Sequence, residues 1–332
     1  MPKILVLRYS AIGDIVLTSP VLRCLYQQLP NCEIHVATKQ GFAIIHSANP
    51  YIYKVHCLDD SLWEHICSLR QHQFDFVVDL HHNQRTFIIK NALTKPSKSF
   101  PKLNIEKWLL VNFKINKMPN LHIVDRYFEA VAGLGIKNDH AGLDFFIDPN
   151  NEIDLQVFFQ QTEKQPYIAL VLGATYATKA LLTAQLIALC NTIKLPTVLL
   201  GGKAEMPTAQ AIVQACAKNA NLAIFNACGI LNLHQSASVL RQAHKVITHD
   251  TGLMHIAAAF KKPMFTIWGN TVPGFGMYPY YPEAEQHLYQ ISEVAGLPCR
   301  PCSKLGYSAC PKKHFNCMLL QNLPQITSWA NE

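Results

Sequence analysis

The stretch "KILVLRYSAIGDIVLTSPVL" carries the first group able to do chemistry. An apolar run from Ile4 to Leu7 breaks at Ser10-Ala11-Ile12-Gly13 and presents Asp14 before another apolar run begins. The acid stands where a helix should start and where the carboxyl edge of a sheet should lie open. Its plain role is a helix cap, with Ser19-Pro20 as a rival helix start. A second carboxylate, Asp250, lies in "KVITHDTGLMHIAAAFKKPMFTIWG". Asp250 or Thr251 suits an N-cap, and Thr251 and His255, four apart, share one helical face. Gly252 has no side chain to keep a ligand from the first turn, whose unpaired N–H groups attract phosphate. Asp250 alone reads as an ordinary cap. Asp250, Thr251, Gly252 and His255 at one strand-to-helix junction read as a ligand site.

Two further edges join them. In "LVLGATYATKALLTAQLIAL" a strand delivers Gly173, Ala174 and Thr175 into a loop, and Lys179 follows at a helix start. The helix dipole favours acids there, so a lysine in that place is aimed at an anion. "VLLGGKAE" ends a strand in Gly201-Gly202, which permits a tight turn and close backbone approach. Each edge alone is an ordinary loop; the convergence of four points to a site.

The elements that must hold these groups alternate along the chain. Strands are expected at Lys3–Arg8, Glu33–Thr38, Asp75–Leu80, Tyr167–Leu172, Thr197–Leu200, Lys245–Thr248 and Met264–Trp268. Most are Val/Ile/Leu-rich without polar alternation, as parallel strands covered on both faces are. Helical patterns such as Val21–Leu29 and Leu182–Thr192 separate them, which predicts right-handed βαβ units and doubly wound sheets. The rhythm falters between Gly142 and Pro166, in the polar "DPNNEIDLQVFFQQTEKQP". Two α/β domains, 1–155 and 156–332, follow from that break, with a ligand cleft between their carboxyl edges.

The 332 residues, 49% hydrophobic and 15% charged, suit a globular chain of two domains with a large interior. A net charge of +7 suits an anionic partner without choosing among phosphate-bearing substrates, membranes and nucleic acid. No stretch reaches the roughly 20 apolar residues of a membrane span. Met1-Pro2-Lys3 runs straight into a strand and leaves no room for a signal peptide, so a cytoplasmic location is expected, with any membrane contact peripheral. The 11 cysteines are then thiols or metal ligands before disulfides.

Over nearly its whole length the chain resembles glycosyltransferase family 9, the ADP-heptose:lipopolysaccharide heptosyltransferases. The resemblance rests on "SAIGDIVLTSPVLRCLYQQLPNCEIHVATK", "DFVVDLHHNQRT", "LGATYATK", "LLGGKAE", "HDTGLMHIAAAF", "WGNTVPG" and "CRPCSKLGYSACPKKHFNCM". It implies a GT-B fold of two Rossmann-like domains facing an interdomain cleft, with the acceptor on the first and the sugar nucleotide on the second. It also implies that Asp14 is the general base on the acceptor hydroxyl, with Ser10 and Gly13 on the acceptor side; Arg85, in "HHNQRT" after a strand, is an acceptor-site candidate by its position. On the donor side it places Lys179, Thr175, Thr251 and Gly252 at the diphosphate, Asp250 at the sugar hydroxyls, Leu231 at the nucleoside, and Gly202 and His255 close by. The implied donor is an ADP-sugar with no cofactor, and the implied acceptor an anionic glycolipid or oligosaccharide. The chain departs from the family at Lys179-Ala180-Leu181, where an aromatic often follows the lysine. It departs again at Asn270-Thr271-Val272-Pro273, where many members have Thr-Asp-Pro.

For glycosyl transfer, Asp14 would need a pKa raised by desolvation, while Lys179 and the turn at Thr251–Gly252 would take the leaving charge. No Asp-x-Asp triplet occurs, so a metal-bridged diphosphate is not indicated and an inverting single displacement is expected. In segment 296–318, Cys299, Cys302, Cys310 and Cys317, with His314 among them, form a candidate structural zinc site, the alternative being reduced cysteines packed under the cleft. Lys90, Lys95, Lys98, Lys102 and Lys107, beside Trp108, Leu109 and Leu110, form either a solvated face or a patch for an anionic lipid surface or phosphorylated acceptor. A nicotinamide-dependent dehydrogenase would want G-x-G-x-x-G after the first strand, and "YSAIGDIV" lacks it. A sugar-nucleotide epimerase of the same two-domain type is a closer rival. A basic nucleic-acid-binding protein would explain the charge but neither acid, and no nucleic-acid motif is visible.

Overall fold

A computed structural model describes residues 1–159, 165–219 and 222–332. Among them, strands β1 (Lys3–Leu7), β2 (Glu33–Lys39), β3 (Lys54–Leu58), β4 (Phe76–Asp79) and β5 (Ser97–Ser99) form a parallel sheet in the order β3-β2-β1-β4-β5. Strands β6 (Ile168–Val171), β7 (Thr197–Leu200), β8 (Ile224–Asn226), β9 (Lys245–His249), β10 (Met264–Trp268) and β11 (Tyr289–Glu293) form a second parallel sheet, β11-β10-β9-β6-β7-β8. All seven expected strands are present within a residue or so at each end. The interior ones are apolar because helices cover both faces: Ile4, Leu5, Val6 and Leu7 of β1 are all buried.

In each sheet the strand order reverses once, between β1 and β4 in the first and between β6 and β9 in the second. The crevice outside such a reversal is where doubly wound folds bind ligands. Asp14 follows β1, Lys179 follows β6 and Asp250 follows β9, so all three leave strands that flank a reversal.

The two halves pack directly on one another. One apolar cluster runs through both, joining Val6, Ile15 and Val36 to Met254, Ile256 and Trp268. The helix Ile12–Val16 lies against the helix Gly252–Ala259. Two glycines permit the approach: a Cβ on Gly13 would sit 2.6 Å from His255 Cδ2, and one on Gly252 would sit 2.8 Å from Ile12 Cβ. The space a Gly252 side chain would take is filled by Ile12 of the opposite half, while the glycine itself still borders the cleft between the halves. Polar bonds add to this contact, with Ile123 N–H donating to Gly276 O at 2.8 Å and Arg126 Nη2 to Phe275 O at 2.9 Å.

The turn-rich connection between the sheets crosses from one to the other. Arg23 holds Asp139 at 2.8 Å and also pairs with Asp144. Further on, the Asp148 N–H meets His234 Nδ1 at 2.9 Å and Ser238 Oγ donates to Glu152 Oε2 at 2.7 Å, which lays this stretch along the helix Leu233–Gln242. Residues 160–164 of the expected break lie outside the described residues. No helix among the described residues is long and apolar enough to cross a membrane.

Candidate active site

A cleft of about 490 Å³ lies between the carboxyl edges of the two sheets. Arg8, Ser10, Gly13, Asp14, His81 and Lys102 border it from the first half; Thr175, Lys179, Asp250, Thr251, Gly252 and His255 border it from the second. Asp14 is not the N-cap of its helix. Ala11 holds that place and Asp14 is the third helical residue, its Oδ2 taking the Ala11 N–H at 3.4 Å. Ser19-Pro20 opens a separate helix, Ser19–Gln28.

Arg8 governs the acid. Its Nη2 lies 2.7 Å from Asp14 Oδ1, while its other nitrogens donate to Ser10 O, Leu80 O and Tyr127 OH. Burial works to raise the Asp14 carboxyl, but the Arg8 guanidinium and the Ala11 N–H outweigh it and hold the group below its ordinary value. The raised pKa expected from desolvation is overturned: a buried cation sits beside the acid.

Across the cleft, Lys179 Nζ lies 2.6 Å from Asp250 Oδ2, which also accepts the Thr271 hydroxyl at 2.9 Å. Thr251 caps the helix Gly252–Ala259, its hydroxyl accepting the Leu253 N–H at 3.1 Å. His255 is buried behind it with Nδ1 unpartnered, and burial pushes its pKa down to about 4, so the ring is neutral. Thr175 is exposed at the cleft mouth.

Three expected residues lie outside the cleft lining. Gly202 turns its N–H to Glu205 Oε2 at 2.7 Å. Leu231 is partly buried against the core. Arg85 stacks over Tyr9 and borders a separate depression with Asp59 and Asp60. The lysine patch divides as well. Lys90 is bound inward, 2.9 Å from the buried Asp79, and Lys95 and Lys98 are solvated, whereas Lys102 and Lys107 line the cleft. Burial, with Arg126 nearby, pushes Lys107 down to about 8.

The cysteine-rich segment forms one wall. Lys304 and Leu305 border the cleft, and Arg300 anchors the segment to Gly269 O at 2.5 Å and Thr271 O at 2.9 Å. Lys114 of the first half grips the carbonyls of Cys299 and Pro301 at 3.2 and 2.7 Å, and the Tyr307 N–H donates to Thr178 Oγ1 at 2.8 Å. Every cysteine is free. Among the described residues no three of Cys299, Cys302, Cys310, Cys317 and His314 bring their ligand atoms within 4.8 Å of one another, though Cys302 lies beside Cys299 and Cys299 faces His314 Nε2 at 3.6 Å.

Reasoning from sequence missed Arg8, Lys304, Tyr176, Trp268 and Thr271 as cleft residues. Arg8 alone carried a usable signal, a charged side chain ending a buried strand.

Two parallel sheets that turn their strand-order reversals towards one basic cleft define a two-domain α/β protein built to take a ligand between its halves. A model of glycosyltransferase family 9 (heptosyltransferase) matches residues 62–304, and the chain belongs to that family. It is a glycosyltransferase. Lipopolysaccharide heptosyltransferase 1 of Pseudomonas aeruginosa is 23% identical over 328 residues, covering 91% of this chain and 86% of that protein. The structure of ADP-heptose lps heptosyltransferase II from E. coli superposes with a TM-score of 0.73 at 17% identity, covering 99% of this chain and 98% of that one. E. coli heptosyltransferase WaaC with ADP gives 0.67 at 18% identity, covering 98% of each chain. The shared fold is GT-B, as the resemblance implied.

Proposed function

We propose that this enzyme transfers a sugar, heptose from ADP-heptose, to a lipopolysaccharide core or related anionic cell-envelope glycan, in one inverting displacement that needs no divalent metal. One observation carries the reading: Asp14 from one half and Lys179, Asp250 and the Thr251–Gly252 turn from the other border the same cleft. The relatives, a lipopolysaccharide heptosyltransferase and two heptosyltransferases named with ADP-heptose or ADP, support the donor and acceptor classes. The first domain, to about residue 155, takes the acceptor, and the second takes the donor.

Asp14 accepts the proton of the acceptor hydroxyl as its oxygen attacks the anomeric carbon. A base on one face and a diphosphate departing from the other invert that carbon. Lys179 exchanges Asp250 for the diphosphate, and the N–H groups at the start of the Gly252–Ala259 helix add their partial positive charge. Asp250, released, takes sugar hydroxyls. With no Asp-x-Asp triplet, these cationic groups carry the leaving charge.

The acceptor side continues into a neighbouring groove of about 710 Å³, which shares Asn104, Lys107 and Lys304 with the cleft and is lined by Ile105, Trp108, Val111 and Tyr307. Cations followed by exposed apolar side chains suit an anionic amphiphile and support a reading in which the enzyme works peripherally at the cytoplasmic face of the membrane. The test is incubation with ADP-heptose and a truncated lipopolysaccharide acceptor. ADP should appear only when both are present, undiminished by EDTA, with an inverted linkage in the product. An isomerised sugar nucleotide without ADP release would overturn the reading in favour of an epimerase. Family membership leaves that rival, and the nucleic-acid reading, without support.

A further inference from the structure

Away from the cleft, towards the amino edge of the first sheet, three imidazoles converge. His35 on β2, His56 on the neighbouring β3 and His72 in the turn after the helix Leu62–Arg70 each place a ring nitrogen within 4.8 Å of the other two. None of them borders the cleft. We propose that His35, His56 and His72 form a structural site for a late first-row divalent cation, Zn²⁺ foremost.

The geometry is close to what such an ion needs. His35 Nδ1 and His56 Nε2 stand 2.9 Å apart. Two imidazoles on one tetrahedral Zn²⁺, with Zn–N near 2.0–2.1 Å, hold their nitrogens about 3.3 Å apart. That pair must open by a few tenths of an ångström. His72 must swing inward, and it is the ring with room to do so, being only partly buried at a surface turn. The same exposed edge supplies an entry path and space for water as fourth ligand.

A carboxylate orients the first ligand. Glu33 Oε2 lies 3.5 Å from His35 Nε2, on the ring edge away from His56. A proton held at Nε2 by Glu33 leaves the Nδ1 lone pair aimed into the cluster, the carboxylate–histidine arrangement that fixes tautomer and ring in metal sites. Burial keeps the rings neutral, which is the ligating form: His56 is pushed down to about 3, and His35 and His72 are held below the ordinary histidine value. Three nitrogens without a thiolate select Zn²⁺, Co²⁺, Ni²⁺ or Cu²⁺ over Mg²⁺ or Ca²⁺.

The neighbouring cations set the sign of a test. Lys54 Nζ lies 3.5 Å from His72 Nε2, and Lys3 Nζ lies 3.7 Å from Glu33 Oε2. Both oppose a dication, and Lys54, being exposed, must turn into solvent when the ion enters. An occupied site would clip β2, β3 and the approach to β4 together, stiffening the first half.

Tag-free, full-length protein is titrated with ZnCl₂ while its melting temperature is followed, and with CoCl₂ for its visible and near-ultraviolet spectrum. The site predicts one bound equivalent, a raised melting temperature, and a cobalt spectrum free of a thiolate charge-transfer band. His72→Gln abolishes the shift, Glu33→Gln weakens binding about 10- to 100-fold, and Lys54→Ala tightens it. Cys299→Ser with Cys302→Ser leaves all of this unchanged. The proposal is overturned by a melting temperature indifferent to Zn²⁺, by binding that survives His72→Gln, or by a thiolate band that disappears with the cysteine double variant. Should His72→Gln fail to fold, the opposite effects of Glu33→Gln and Lys54→Ala decide it; equal affinities in both overturn it.

Discussion

Asp14 feels two opposing forces. Removal from water favours its neutral form, but Arg8 at 2.7 Å favours the anion and prevails. The carboxylate is therefore ready to accept a proton throughout the neutral range, though weakly basic, so proton transfer must run late, as the attacking oxygen becomes acidic. Asp14→Asn keeps the shape and removes the proposed base; it should fold normally by circular dichroism and lose about 10²- to 10⁴-fold in kcat. The acid limb of kcat/KM in the native enzyme should fall below the ordinary carboxylate range. At this scale the sequence disclosed Asp14, Lys179, Asp250 and Thr251, because each follows an apolar run that marks a sheet edge. Lys304 and Trp268 reach the cleft from distant segments, and no local pattern announces such a meeting. Arg85 follows β4 and turns over Tyr9, outside the cleft lining, a direction that no local pattern announces.

The helices Ile12–Val16 and Gly252–Ala259 meet at Gly13 and Gly252, each of which leaves room for a side chain of the other helix, His255 and Ile12. Gly13→Ala would push a methyl to 2.6 Å from the ring of His255, which is buried and has little room to retreat. The variant should be destabilised by about 1–3 kcal/mol, as overpacked contacts are, read as a lower midpoint in urea. The purely apolar strands could be read from composition because burial on both faces demands it. β3, β5, β8 and β11 escaped notice: they are edge or outer strands, and "SKS" or "YQISE" satisfies a half-solvated edge without an apolar run. The domain-crossing connection was legible only as a loss of rhythm, since its order comes from partners such as His234 and Ser238.

Across the whole molecule, neutral histidines are built into the interior. Burial pushes His46, His249 and His255 down to about 4 and His122 to about 3. An unfolded chain protonates them near 6.5, so it binds more protons than the native state between that value and roughly 4. Their contribution is complete above pH 6.5 and is lost as pH falls through this window. Each group costs up to about 1.4 kcal/mol per pH unit there. Calorimetry from pH 8 to 4 should show a melting temperature that drops steeply below 6.5, with net proton uptake on unfolding. The cysteine-rich segment adds a constraint of another kind. Lys114 holds its backbone from the first half, while Tyr307 holds Thr178, one residue before Lys179. The segment is thus a strap fastened at both ends. The jaws it spans can breathe only as far as its slack allows, and a pull at Lys179 is carried through Thr178 and Tyr307 towards the contact with Lys114.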